Sequence, residues 1–339
     1  MTIPKGFREK LLSNSASLSH ADTPKQVRFQ ERAFPMGKMI GVNAYRINRI
    51  ALKQRLIDGE YALHETPHFL VCTKTAAPTM IVHWFSPKAI DSDLGQYFME
   101  ELKPLGILAN VESFGDVFGA VVGSICPKNP EQAWHLFGVN TLQRYHTLLT
   151  ANSHTPHYDS PVDVFATLYR RVCKLVVGAS LLDAGCSFGF LPLVVAERVP
   201  TLTTVVGADI RTEPFPVTRA IASERHLTAV QYVQADLLTD DVCALGQFDT
   251  VTVLHVLEHF NESDMYRVLT NLLEIASHRL IIGVPYEPGE PELAYGHEQL
   301  FTPDKLKAVG RWCLEQWHGG QMQCEECAGG LLFLDRPPS

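Results

Sequence analysis

The sequence predicts an α/β protein in which a smaller α+β part precedes a parallel sheet covered on both faces by helices. Beyond residue 160, near-continuous apolar runs alternate with amphipathic helical ones, the rhythm of strands buried on both sides. Before residue 150 the apolar runs are shorter, rich in β-branched and aromatic residues, and punctuated by proline. Between the two, "TANSHTPHYDSP" (150–161) has the polar, proline-bearing composition of a linker. The expected organisation is a loosely ordered segment 1–35, an α+β accessory domain 36–155, and an α/β domain 156–339.

Taken in order, "AYRINRIALKQRLIDG" (44–59) reads as a helix stopped by Gly59, with Arg46, Arg49 and Lys53 on one stripe. "EYALHE", "HFLVCTK" and "TMIVHWFS" read as an antiparallel meander, with Pro67 and Pro78 between the runs. A helix near 93–104 follows, then a pair of strand-like runs, "ILANVESF" and "VFGAVVGSI", and a helix over about 130–150. Phe165, Leu168, Val172, Leu175 and Val176 fall at helical spacing after the linker. The strands of the second part are expected in "SLLDAG", "TTVVGADI", "VQYVQADL", "FDTVTVLH" and "RLIIGVPY". "LEQWHGG" and "GGLLFLDRP" are read as a terminal hairpin.

Of the 339 residues, 46% are hydrophobic and 19% charged, as in soluble globular proteins. No stretch approaches eighteen consecutive apolar residues, and the N-terminus lacks a signal-length apolar core. Eight cysteines, with only Cys324 and Cys327 at C-x-x-C spacing, fit a reducing, cytoplasmic setting. A turn carrying two free thiols is the favoured reading of that pair, ahead of a metal site shared with His318. Residues 1–158 carry 16 basic and 13 acidic residues, residues 159–339 carry 13 and 24. An acidic C-terminal half argues against nucleic acid as its ligand and for a small molecule. The first 60 residues, with 11 basic and 5 acidic, are the exception.

"LLDAGCSFG" (181–189) places an acid and two glycines where the first strand of the second part turns into a helix. In an open parallel sheet, ligands bind at such strand ends, and glycines let them approach the backbone. Asp209 ends the next strand, 20 residues beyond Gly189, the position of an acid that grips ribose hydroxyls. The dinucleotide pattern G-x-G-x-x-G does not fit, because Gly185, Ser187 and Gly189 are spaced two and two.

These motifs resemble those of class I S-adenosylmethionine-dependent methyltransferases of the small-molecule type. "LLDAGCSFG" is similar to the family's D-x-G-x-G-x-G loop, with Ser187 at the middle glycine. "VVGADI", "VQADLL", "FDTVTVLHVLEHF" and the stretch 283–309 resemble the family's following strands in order. The resemblance covers residues 180–334 and implies a Rossmann-like, seven-stranded sheet and S-adenosylmethionine as cofactor. It implies that Asp183, Gly185, Cys186, Ser187, Phe188 and Gly189 hold the methionine end. Asp209, with Ile210 beside it, takes the ribose; Asp236 and Leu237 border the adenine; Leu254 and His255 lie under the sulfonium. The implied reaction is in-line displacement at the methyl carbon, helped by proton removal from the acceptor.

"HVLEHF" and "YGHEQLF" add His255, Glu258, His259 and His297. H-x-x-E-H on a helix binds zinc in some peptidases, but here it straddles a strand end. Ubiquinone-pathway O-methyltransferases and small-RNA 2′-O-methyltransferases show E-x-x-E-H and a later His that hold a divalent cation. This chain is similar at Glu258, His259 and His297, with His255 replacing the first Glu. The four residues are therefore the candidate metal set, better suited to zinc or iron than magnesium. In metal-free relatives the same Leu-Glu-His orients the loop, so both roles stay open. His297, His259 and His255 are the candidate catalytic residues, the first two as general bases.

The expected function is methyl transfer to a small-molecule acceptor, most readily a hydroxyl oxygen, with no membrane or nucleic-acid partner and the N-terminal part shaping the pocket or making a homodimer contact. The rivals are an RNA or protein acceptor presented by the basic N-terminal region, and a non-catalytic adaptor that has kept the fold.

Overall fold

A computed structural model describes residues 39–75, 77–151 and 160–337. The segment 1–35 and most of the expected linker, residues 152–159, lie outside the described residues. The first part contains β1 (Met39–Asn43), helix α1 (Arg49–Asp58), β2 (Ala62–Glu65), β3 (Phe69–Thr73) and β4 (Thr79–His83). The three expected meander strands form, and β1 adds to them in parallel with β4, giving the order β1-β4-β3-β2.

Helix α1 begins five residues later than expected. The Asn48 side chain accepts hydrogen bonds from the backbone N–H groups of Ile50 and Ala51 at 3.0 and 3.1 Å. That cap leaves 44–48 outside the helix and disperses the expected basic stripe. The Arg49 guanidinium lies 4.2 Å from the Trp84 ring centre, and Lys53 pairs with Glu65.

Residues 94–105 are helical, as expected, in short turns that change pitch. The two runs read as paired strands between 107 and 125 are instead one helix, α2 (Val111–Gly123). Asn110 accepts from the Ser113 N–H at 2.9 Å while Ser113 Oγ accepts from the Asn110 N–H at 3.1 Å. This reciprocal cap, with Val117, Phe118, Val121 and Val122 buried on one face, overrides the β-propensity of the valines.

Helices α3 (Pro130–Thr150) and α4 (Pro161–Leu175) follow. Both open with an Asn or Ser cap and a proline in the first turn. Arg144 of α3 pairs with Asp91 and Asp93 at 3.3 and 2.8 Å, and Asp93 also accepts the Val162 N–H at 2.9 Å.

The second part is a seven-stranded sheet of β5 (Ser180–Ala184), β6 (Thr204–Asp209), β7 (Val230–Gln234), β8 (Phe248–Leu254), β9 (Ala276–Val284), β10 (Gln321–Glu326) and β11 (Gly330–Asp335). Helices α5 (Phe190–Arg198), α6 (Phe215–Glu224), α7 (Glu262–Ile275) and α8 (Pro303–Gln316) connect them. The order is β10-β11-β9-β8-β5-β6-β7, with β5 to β9 parallel and the last hairpin antiparallel. This is the Rossmann-like α/β architecture expected from the sequence.

The first arm of the terminal hairpin is β10, not "LEQWHGG". That stretch ends α8, where the Trp317 indole is buried and donates to the Leu273 carbonyl at 3.0 Å. All eight cysteines are free thiols. No described helix is long and apolar enough to cross a membrane.

One apolar core runs from the four-stranded sheet, through α2, α3 and α4, to the face of the second sheet. Phe137 of α3 sits at this junction, 5.4 Å from the Phe118 ring, 5.1 Å from Phe188 and 6.3 Å from Phe190. Phe137→Ala should cost about 3–5 kcal/mol by leaving a cavity among these rings. Denaturant unfolding checks this, and a loss under 1 kcal/mol contradicts the packing described.

Candidate active site

Strand order reverses at β5, which has β6 on one side and β8 on the other. The loops that leave β5 and β8 at their C-terminal ends carry the glycine motif and the histidine motif. A crevice at such a reversal is where parallel α/β sheets bind ligands.

In the first loop, Gly185, Ser187 and Gly189 adopt left-handed backbone, with φ of 76°, 50° and 72°. The N–H groups of Gly185 and Cys186 donate to the Ala208 carbonyl at 2.8 and 3.0 Å. Ser187 N–H donates to Asp209 Oδ2 at 2.8 Å, and Arg211 N–H to Oδ1 at 2.9 Å. A carboxylate has about four lone-pair sites, so Asp209 keeps capacity for two ribose hydroxyls. Burial, ahead of these hydrogen bonds, raises its pKa.

A side chain at Gly185 would place its Cβ 2.5 Å from Val256 Cγ2, a residue of the second loop. Gly189 is equally confined by the Tyr232 ring, whose hydroxyl donates to the Gly189 carbonyl at 2.7 Å. Cys186 is buried against Phe215 and Tyr232, and Phe188 turns into the aromatic cluster of α2 and α3. Both therefore offer a ligand their backbone rather than their side chains.

Asp183 is buried and accepts from Thr252 Oγ1 at 2.8 Å. Burial pushes its pKa up to about 7. An adjacent cation would favour its charged form. Asp236 stands two residues past β7 and accepts the Leu238 N–H at 2.9 Å, while Leu237 is buried and Ile210 exposed.

Leu254 ends β8, and His255 follows with φ of 53°. The His255 N–H donates to the Gly283 carbonyl at 2.9 Å, and its ring packs 5.0 Å from Phe165. Burial first, then the charges of His297 and His259, drives the His255 pKa down to about 3. The chain then makes a tight turn over Leu257–His259. Glu298 N–H donates to the Glu258 carbonyl at 2.8 Å, so the segment bearing His297 is stitched to this turn.

Glu258 is 1% exposed, and neither carboxylate oxygen has a hydrogen-bond partner among the described residues. Burial, then the Glu287 charge, pushes its pKa up to about 8. The His259 and His297 rings lie 4.8 Å apart, and His297 Nε2 is 4.0 Å from Glu258 Oε1. Among the described residues, Glu258, His259 and His297 form the group whose ligand atoms all lie within 4.8 Å of one another. His255 stands outside it, 3.8 Å from Glu258.

The matched family is described as a methyltransferase domain and covers residues 181–278, under a third of the chain. These residues are a class I methyltransferase segment. Nocamycin O-methyltransferase of Saccharothrix syringae is 39% identical over 99 residues, covering 28% of this chain and 35% of the relative. Ubiquinone biosynthesis O-methyltransferase of Actinobacillus pleuropneumoniae serotype 5b (strain L20) is 34% identical over 86 residues, covering 24% and 35%. The chain thus spans about a third of the length of these curated relatives. An O-methyltransferase family protein from Burkholderia thailandensis superposes with a TM-score of 0.47 at 15% identity, covering 85% of this chain and 83% of the other.

The first part of the chain also reaches the loop that carries His297. Gly296, one residue before His297, faces Val111 at the start of α2, 3.5 Å from its Cβ position. Phe114 meets Tyr295 edge to face at 5.3 Å, and Lys103 pairs with Glu292. Sequence reasoning missed Glu287, whose carboxylate lies 2.9 Å from His297 Nδ1. The signal available was an acid between two prolines, "PYEPG", ten residues before the histidine.

Left-handed backbone costs an L-residue roughly 1–2 kcal/mol that glycine avoids. Ser187→Gly should therefore stabilise the protein by about 1 kcal/mol, and Gly189→Ala should destabilise it by more than 2 kcal/mol. Equal stabilities by denaturant unfolding contradict this backbone. In metal-stripped protein, Glu258 with its raised pKa favours folding in its protonated form. That contribution is full below pH 4.5 and is lost as pH rises through about 8. Stability measured from pH 5 to 9 should fall more steeply for the wild type than for Glu258→Gln; parallel curves exclude the burial effect.

Proposed function

We propose that this protein is an S-adenosylmethionine-dependent methyltransferase acting on a hydroxyl oxygen of a small-molecule acceptor. The observation that carries the reading is the meeting, at one strand-order reversal, of a left-handed glycine loop tied to Asp209 and a cluster of proton-accepting side chains. S-adenosylmethionine supplies, when bound, a methyl group on a positively charged sulfur. The Gly185–Gly189 backbone and Asp183 would hold its methionine end, Asp209 with Ile210 beside it its ribose, and Asp236 and Leu237 its adenine.

The chain's own task is positioning and proton removal. His297 and His259 stand where a hydroxyl proton can be taken, since a neutral imidazole is a competent base near pH 7. Val111, Phe114 and Tyr295 form an apolar wall beside them, which supports an acceptor-shaping role for the part of the chain before residue 155. That the Glu258 carboxylate has no hydrogen-bond partner among the described residues also fits a divalent cation held by Glu258, His259 and His297. Two imidazoles and one carboxylate suit zinc or iron better than magnesium, and a cation there would acidify a bound hydroxyl.

Calorimetric titration with S-adenosylhomocysteine tests the cofactor assignment. Saturable binding should weaken by about 10–100-fold in Asp209→Ala, the cost of losing charge-assisted hydrogen bonds to two hydroxyls. No binding by the wild type would remove the enzyme reading and leave an adaptor.

A further inference from the structure

Three lone-pair donors can converge only if none of them presents a proton to another. Neutral imidazole carries one N–H and one lone pair, so each ring must be told which nitrogen to protonate. For His297 two carboxylates compete. The Glu258 carboxylate, buried and without a hydrogen-bond partner among the described residues, lies 4.0 Å from Nε2; Glu287 lies 2.9 Å from Nδ1. If Glu258 won, Nε2 would donate to it, and the lone pair would turn away from the cluster.

We propose that Glu287 is the positioning residue of His297. Its carboxylate, which can only accept, keeps the hydrogen on Nδ1 and leaves Nε2 as the lone pair facing Glu258. Its reach is fixed from both ends. Glu287 follows β9 by three residues and stands between Pro285 and Pro288, whose rings restrict the backbone. His297 is held separately: its N–H donates to the Glu292 carbonyl at 3.2 Å, and Ala294 N–H donates to Glu292 Oε1 at 3.0 Å. His259 shows the same arrangement, its Nδ1 facing the Gly296 carbonyl at 3.2 Å. The His297 ring thus turns Nε2 toward Glu258, held there through a carboxylate on Nδ1. Such outer partners fix tautomer and ring plane, and their removal typically weakens metal affinity about 10–100-fold. The inference rests on the proposed function for its consequence, since a base or a ligand must act through Nε2; the tautomer is readable without either.

The test uses the full, metal-stripped, 15N-labelled chain at about pH 9, where Glu258 is ionised and can only accept. Long-range 1H–15N correlations, assigned with His297→Gln, should show His297 with a protonated Nδ1 and a bare Nε2. In Glu287→Ala the Nε2–H form should appear, and cobalt(II) affinity should fall about 10–100-fold. Glu287→Gln, whose amide oxygen still accepts, should retain the wild-type tautomer. Glu290→Gln, on the exposed side of the same loop, should change neither, and S-adenosylhomocysteine affinity should stay within twofold in all variants. A wild-type ring in the Nε2–H form overturns the proposal, even if Glu287→Ala fails to fold. So does a Glu287→Ala ring with unchanged tautomer and cobalt affinity. A wild-type ring protonated on Nδ1 in a protein that takes up no cobalt supports the positioning role and removes only the cation.

Discussion

When a parallel sheet lays its strands outward in one direction and then returns to the other side of the first strand, the two connections leave on opposite faces. No helix can close the gap between their starting points. Here that gap lies between β5 and β8, and the two loops at its edge grow into each other. Val256 occupies the space that a side chain at Gly185 would need, so the histidine turn and the glycine loop fix one another's positions. The backbone tie from Ser187 to Asp209 and the stitching of Glu298 to Glu258 extend the same constraint to β6 and to the segment after β9.

Several local costs meet at the site. Asp183 and Glu258 are buried acids, Ser187 and His255 hold left-handed backbone, and His255 Nε2 has no hydrogen-bond partner among the described residues. A buried polar group without a partner costs on the order of 1–3 kcal/mol in proteins. Strands β6, β8 and β11 are rich in valine or leucine, and helices α7 and α8 carry side-chain caps at Asn261 and Thr302. Buried acids and left-handed residues also occur elsewhere, as at Asp91, Asp93, His226 and His318, so what marks the crevice is that such departures meet there at a strand-order reversal.

Much of this was legible in the sequence because it depends on short-range pattern. The strands β5 to β9 are continuous apolar runs, and the acids at the ends of β5 and β6 fall where such runs stop. Glu258, His259 and His297 could be grouped because the resemblance supplied a distance that their spacing of 38 residues does not. Helix α2 was misread because its valines favour strands, and only the pairing of Asn110 with Ser113 reveals the cap. Strand β1 is five residues with a central glycine, too short for a period to show. Glu287 left only the weak mark of an acid between two prolines: its importance comes from a contact made in three dimensions, and a lone acid in a proline-rich loop is ordinarily solvated.

The aromatic junction at Phe137 bears on how far this architecture can be taken apart. Phe188 belongs to the glycine loop, yet its ring is lodged among Phe118, Trp134 and Phe137 of the first part. A polypeptide beginning at residue 160 would keep every strand of the larger sheet but turn Phe188 and Phe190 out to water, a sticky patch beside the cofactor loop. The methyltransferase segment is therefore not a detachable cassette. Grafting it onto another substrate-recognition part would require that part to supply three aromatic rings in the same places, which narrows what evolution or a designer could exchange.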